Sequence, residues 1–190
     1  MTLPGLLLLT DRSQLPVGRT LDDTVRRCVD AGLEAVVVRE LDLPSPERQR
    51  LADLVAEAGA TVITARTWLS GTHGVHLSSV QSDLDAGRAP FHGRSCHNDE
   101  DVRRAVGGGA SYLTISPVAA SESKPGYGPA MGTEGVRQAV ELAGGTPVFA
   151  LGGVDASNVA AMREAGAHGV AVMWADDPAA VVAEILERVR

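Results

Sequence analysis

Short, uninterrupted apolar runs alternate along the chain with longer amphipathic stretches. The runs fall near 6–9, 35–38, 61–64, 75–77, 91–95, 112–115, 147–151 and 169–173. Most are rich in Val, Ile and Leu and do not alternate with polar residues, as suits strands buried on both faces; 91–95, Phe-His-Gly-Arg-Ser, is the polar exception. Helical periodicity is clearest over 21–31, 46–58, 99–106, 133–143, 156–165 and 178–189, and the connections after the third and fourth runs are too short for full helices. A repeated phrase joins the two patterns: a helix ends in small residues with a glycine, then an apolar run follows. It occurs from Asp30 through Ala31, Gly32 and Leu33, from Glu57 through Gly59, from Gly108 through Ala110, and from Glu164 through Gly166. Glycine stops a helix by taking the left-handed conformation after the cap. Helix then strand, repeated, means parallel βαβ units. Eight such strands predict an α/β fold, a single (β/α)8 TIM barrel spanning residues 1–190. A doubly wound open sheet is the competing architecture, but no G-x-G-x-x-G follows the first strand.

Composition agrees with that reading and narrows the ligand. The chain has 190 residues, enough for one well-buried core and short for an eight-unit barrel, so the loops must be brief. Apolar residues make up 44% and aromatics only 3%, which suits small side chains packing helices onto a parallel sheet. With 17 basic and 24 acidic side chains the formal charge is −7, which argues against nucleic acid or an anionic membrane as partner. A phosphorylated ligand therefore needs a local anion site. Cys28 and Cys96 are isolated and fit neither a disulfide framework nor a zinc pattern, so both are read as packing residues. The leucine run 6–9 is too short for a signal or a membrane span, and a cytoplasmic protein is expected.

In a barrel of this kind the site lies at the C-terminal ends of the strands. The polar residues there are Thr10, Asp11 and Arg12; Arg39; Thr64 and Arg66; His76; Ser95 and His97; the stretch from Ser116 through Lys124; Gly152 and Gly153; and the turn from Trp174 to Asp177. Arg39 ends a Val-Val-Val run and needs an anionic partner; a salt bridge to Glu40 or Asp11 is the structural alternative to a ligand. Gly152 and Gly153 follow an apolar strand and precede a helix for which Asp155 or Ser157 could serve as cap. Such a turn presents backbone N–H groups to an anion. A bulky side chain at Gly153 is accordingly expected to abolish phosphate binding with the fold intact. Ser121, Ser123 and Lys124 lie on a glycine-flanked loop able to wrap a diphosphate. His76 and His97 are candidate bases, each with a structural role as the alternative.

These landmarks, taken in order, resemble the thiamine phosphate synthase/TenI family. They are Leu9-Thr10-Asp11-Arg12, Val38-Arg39-Glu40, Gly74-Val75-His76-Leu77, Ser95-Cys96-His97, Ser116-Pro117-Val118 with Ser121-Glu122-Ser123-Lys124-Pro125, Ala150-Leu151-Gly152-Gly153-Val154, and Gly169 through Met173. The resemblance implies the same barrel. In the synthase branch it implies that an aminopyrimidine diphosphate ionises with loss of pyrophosphate and that a hydroxyethylthiazole phosphate captures the cation, with magnesium assisting. Arg39, Ser121, Ser123 and Lys124 would then hold the diphosphate, Ser95 would approach the pyrimidine, and the turns at Gly152 and at Met173 and Trp174 would hold the thiazole phosphate.

The pattern also departs from the family. Val37 and Leu41 replace an amide and a cation around Arg39, Thr64 and Ala65 stand where an amide and a metal carboxylate are expected, and Gln81 stands where a second carboxylate is expected, with Asp83 two residues further on. No metal ligand is therefore assigned. The favoured function is a TenI-like, metal-independent thiazole tautomerase (an isomerase) acting on a phosphorylated thiazole with no required cofactor and His97 or His76 as base, together with Arg39 and Lys124. The alternatives are the synthase itself, a transferase that would need Mg, and a catalytically silent phosphate-binding or regulatory barrel. A homo-oligomer is compatible with the sequence.

Overall fold

The computed structural model describes residues 3–120, 129–173 and 177–189. Eight parallel strands close into a barrel in chain order: β1 (Leu6–Leu9), β2 (Ala35–Val38), β3 (Thr61–Ala65), β4 (Gly74–Leu77), β5 (His92–Cys96), β6 (Tyr112–Ile115), β7 (Val148–Leu151) and β8 (Gly169–Val172). Closure comes from β1 pairing with β8, Leu7 opposite Ala171. Among the described residues six helices surround it: α1 (Leu21–Asp30), α2 (Ser45–Glu57), α3 (Asp99–Gly107), α4 (Gly132–Ala143), α5 (Val159–Glu164) and α6 (Pro178–Val189). As the run lengths predict, β3 is followed by no helix, and β4 only by a 3-10 turn at Asp83–Ala86.

Side chains alternate between two apolar shells. Leu7, Leu9, Val37, Ile63, Tyr112, Phe149 and Ala171 fill the barrel interior. Leu6, Leu8, Val36, Val38, Leu113 and Val170 point outward and pack under the helices with Val25, Leu51, Val55, Val136 and Ile185. Cys28 and Cys96 are fully buried in this outer shell, consistent with packing. The alternation fixes the mouth, because Arg39, Ser95 and Met173 continue the inward series two residues beyond Val37, Gly93 and Ala171.

One helix is shorter than its periodicity predicts. The pattern over 156–165 is helical throughout, but α5 begins at Val159. The Asp155 carboxylate accepts from the backbone and hydroxyl of Ser157, and the Asn158 carboxamide accepts from Asp155 N while donating to Gly153 O. These local bonds offer the backbone an alternative to the first helical turn. Among the described residues no helix is long and apolar enough to cross a membrane.

Candidate active site

Arg39 leaves the end of β2 facing the mouth. Its backbone N–H donates to Thr10 Oγ1, while guanidinium Nη1 lies 3.2 Å from Met173 Sδ at the end of β8. A thioether is a weak acceptor and neutralises nothing. Neither salt bridge considered from the sequence forms. Glu40 accepts from Arg12 N and Nη1, and Asp11 caps the turn at Arg12–Gln14 through Ser13 and Gln14. Arg12 also pairs with Asp42, which holds the Asp42 carboxyl below its usual range. Among the described residues Arg39 has no carboxylate partner.

A second guanidinium follows β3. Arg66 has φ 69°, the one non-glycine residue in the left-handed region among those described. Its N–H donates to His76 O (2.9 Å) and its carbonyl accepts from Gln81 Nε2 (2.9 Å). Left-handed backbone costs a residue with a Cβ about 1–2 kcal/mol, and such strain clusters at functional sites. The Arg66 side chain is exposed, and it too is paired with no carboxylate among the described residues.

His76 lies on β4, buried, and the charges of both arginines act on it. Nδ1 lies 2.9 Å from the Tyr112 hydroxyl and Nε2 lies 2.9 Å from Ser95 Oγ. Burial, and then the positive charges of Arg39, Arg66 and Arg94, push its pKa down to about 3. The imidazole is therefore neutral at neutral pH. His97 is held differently. Its backbone N–H donates to Asp101, and Nδ1 lies 3.0 Å from Ser116 O and 3.2 Å from Ser116 Oγ. It lines a cavity of about 540 Å³ between α3 and α4, with Asn98, Met131 and Gln138. Ser95 and His76 thus form one group, and His97 and Ser116 another.

At the other side of the mouth Gly152 and Gly153 take φ values of 89° and 68°. Gly152 O accepts from Ala119 N, and Gly153 O from Asn158 Nδ2. A Cβ on Gly153 would collide with Ala120 O and lie 2.8 Å from the Ala119 carbonyl. This corrects one expectation: a side chain at Gly153 cannot be accommodated with the fold intact, because it forces the 119–120 backbone away. Ser121, Ser123, Lys124 and Trp174 lie outside the described residues.

The donor set does not suit a divalent cation held by protein carboxylates. Ala65 ends β3 and its carbonyl accepts from Arg48 (2.6 Å). Gln81 is occupied on both ends, accepting from Ser78 N and donating to Arg66 O. Asp83, the shifted candidate, pairs with Arg94, whose Nη1 also donates to the carbonyls of Ser78 and Gln81. Arg94 is fully buried on the outward face of β5. Asp83 is thereby drawn to the outside of the barrel, behind the strand rather than over its end. No cluster of three His, Cys, Asp or Glu occurs among the described residues.

Sequence reading did not anticipate Tyr112, Arg94 or the role of Gln81. Tyr112 lies in an apolar run and reads as core. The available signal was Gly93, since a glycine inside a strand marks close approach of another group.

A family model described as thiamine monophosphate synthase matches residues 6–175. A thiamine-phosphate synthase of Haloarcula marismortui is 36% identical over a match that covers 90% of each chain. That of Thermus thermophilus is 34% identical, covering 96% of this chain and 95% of its own. A solved thiamine phosphate pyrophosphorylase from Pyrococcus furiosus superposes with a TM-score of 0.82 at 24% identity, covering 97% of this chain and 94% of its own, and so shares the fold.

Proposed function

Since this chain belongs to the thiamine monophosphate synthase family, we propose that it is a transferase of the synthase type, joining an aminopyrimidine diphosphate to a hydroxyethylthiazole phosphate with release of pyrophosphate. The carrying observation is that Arg39 and Arg66, which follow β2 and β3, have no carboxylate partners among the described residues and that their charges both act on the buried His76. The names of the relatives support the same reaction.

The chemistry asks little else of the protein. The C–O bond between the pyrimidine methylene and the diphosphate breaks heterolytically, and pyrophosphate leaves with the electron pair. The thiazole nitrogen lone pair then forms the C–N bond. No proton moves in the bond-forming step, so no general base is required, and catalysis rests on offsetting charge on the leaving group and on alignment. Arg39 and Arg66 supply the first, with Lys124, Ser121 and Ser123 of the adjoining loop as further ligands. Ser95 meets the pyrimidine. The Gly152 and Gly153 turn, with Met173 and Trp174, holds the thiazole phosphate through backbone amides. Because Ala65 and Gln81 stand where carboxylates were expected, no step in this reading passes through a protein-bound metal.

That same substitution favours a second reading, the metal-independent thiazole tautomerase. It would need His76 or His97 as base, and both rings are engaged in hydrogen bonds, His76 with Tyr112 and Ser95 and His97 with Ser116. The deciding assay mixes purified protein with both synthase substrates, in magnesium and in excess chelator, and separately with the thiazole carboxylate phosphate. Thiamine phosphate formed at an enzymatic rate supports the transferase. Isomerisation of the thiazole alone would replace it with the tautomerase, and saturable binding without turnover would leave a silent barrel.

A further inference from the structure

His76, Gly93 and Tyr112 stand side by side across three strands, His76 opposite Gly93 and Gly93 opposite Tyr112. The middle position has no side chain, and the Tyr112 ring lies across it: a Cβ on Gly93 would fall against the ring carbons Cζ and Cε1. The ring thus bridges β6 to β4, stacked on His76 at a centroid separation of 5.4 Å and edge-on to Phe149 at 5.6 Å. Packing on both sides fixes where the hydroxyl points.

We infer that Tyr112 is a positioning residue: its hydroxyl fixes His76 in the Nε2–H tautomer, and this makes Ser95 a hydrogen-bond donor toward an acceptor atom of the ligand. The steps follow from donor accounting. Tyr112 is fully buried, and among the described residues His76 Nδ1 is its hydroxyl's one acceptor. The phenol proton must go there, or stay unpaired in an apolar interior. Nδ1 is then the acceptor, and Nε2 carries the proton and donates to Ser95 Oγ at 2.9 Å. With one lone pair of Ser95 occupied, its own proton is turned away from His76 to the half-exposed side of the residue. The opposite tautomer would consume the Ser95 proton and orphan that of Tyr112.

The group is therefore not a nucleophilic triad, because the imidazole has no lone pair facing the serine. If the transferase reading holds, on which this last step rests, Ser95 donates to a pyrimidine ring nitrogen, an acceptor, rather than receiving from the exocyclic amine.

The test uses the full chain labelled with 15N, with the His76 signals assigned by their loss in His76→Gln. In the wild type Nε2 is expected to be protonated and Nδ1 bare; the reverse would overturn the relay. In Tyr112→Phe, the Nδ1 signal should move downfield as the hydrogen bond it accepts is lost. Affinity for the aminopyrimidine diphosphate should fall about tenfold, the loss of one well-placed hydrogen bond, while affinity for inorganic pyrophosphate stays unchanged. A variant that loses affinity with an unaltered His76 spectrum would make Tyr112 merely structural and refute the inference. Should Tyr112→Phe fail to fold, the wild-type spectrum decides alone. Failure of the wild type to bind pyrophosphate would sink the transferase reading and leave the tautomer measurement standing.

Discussion

At the scale of single residues, Arg39 and His76 illustrate how a barrel mouth sets charge. Arg39 is tied to the fold by its backbone, through Thr10, while among the described residues its guanidinium meets Met173 sulfur. Arg39→Ala should leave the strand in place and weaken pyrophosphate more than tenfold, as expected for one charge-assisted contact. Calorimetric titration checks it, and unchanged affinity would make the residue structural. His76 yields a pH prediction. Its folded pKa of about 3 lies well below the unfolded value near 6.5. Between those values the unfolded chain binds the extra proton, so stability present above pH ~6.5 is lost as pH falls toward ~3, by up to about 1.4 kcal/mol per unit from this group. Chemical denaturation at pH 7 and pH 5 on wild type and His76→Gln should show that part of the slope in the wild type alone.

At the scale of an element, the β4 to β5 connection shows what a missing helix must be replaced by. Residues 78–86 have no amphipathic face to bury; Val80 and Leu84 are exposed instead. The segment is held by polar contacts, above all Arg94 reaching out from β5 to two carbonyls and Asp83. Removing one partner of a buried pair leaves an unpaired charge, roughly 3–5 kcal/mol when both are buried. Asp83 is 43% exposed, and solvent screening lowers its share, so Asp83→Ala should cost on the order of 2 kcal/mol. Equilibrium unfolding in urea measures this directly. The same loop carries Gln81, which braces Arg66, so the variant should also weaken pyrophosphate binding. An Asp83 that acted as a metal ligand would instead affect only magnesium-dependent binding, with stability retained.

Most elements are legible in the sequence because their strands are apolar on both faces, β5 (His92–Cys96) being the exception, and glycine ends the preceding helix at Gly32, Gly59, Gly109 and Gly166. The two short connections are legible from length alone. The site is legible only as far as position along a strand reveals direction: Arg39, Ser95 and Met173 can be placed at the mouth. Pairing at a distance leaves no such trace. Tyr112 and His76 are 36 residues apart, and Arg94 reads as a surface charge until the loop folds over it. Periodicity extends the helix after Gly153 too far towards its start, because the side chains of Asp155 and Asn158 bond the backbone before a helical turn can form.

At the scale of the whole molecule, the proposed reading has a chain of formal charge −7 binding diphosphate against its own field, and screening by salt removes much of that penalty. Binding should therefore tighten, or hold, as ionic strength rises modestly, the opposite of a protein whose entire surface is basic. Ligand present at about 100 times its Kd adds about 2.7 kcal/mol to the folded state, which for a chain of this size raises Tm by roughly 5–10 °C. If, as proposed, the Arg39 and Arg66 guanidinium groups offset the diphosphate charge, this rise should persist in excess chelator. It should vanish in Arg39→Ala combined with Arg66→Ala. A thermal shift seen only with magnesium would show that the metal, coordinated chiefly by the diphosphate itself, supplies the positive charge, and charge compensation by Arg39 and Arg66 would have to be abandoned.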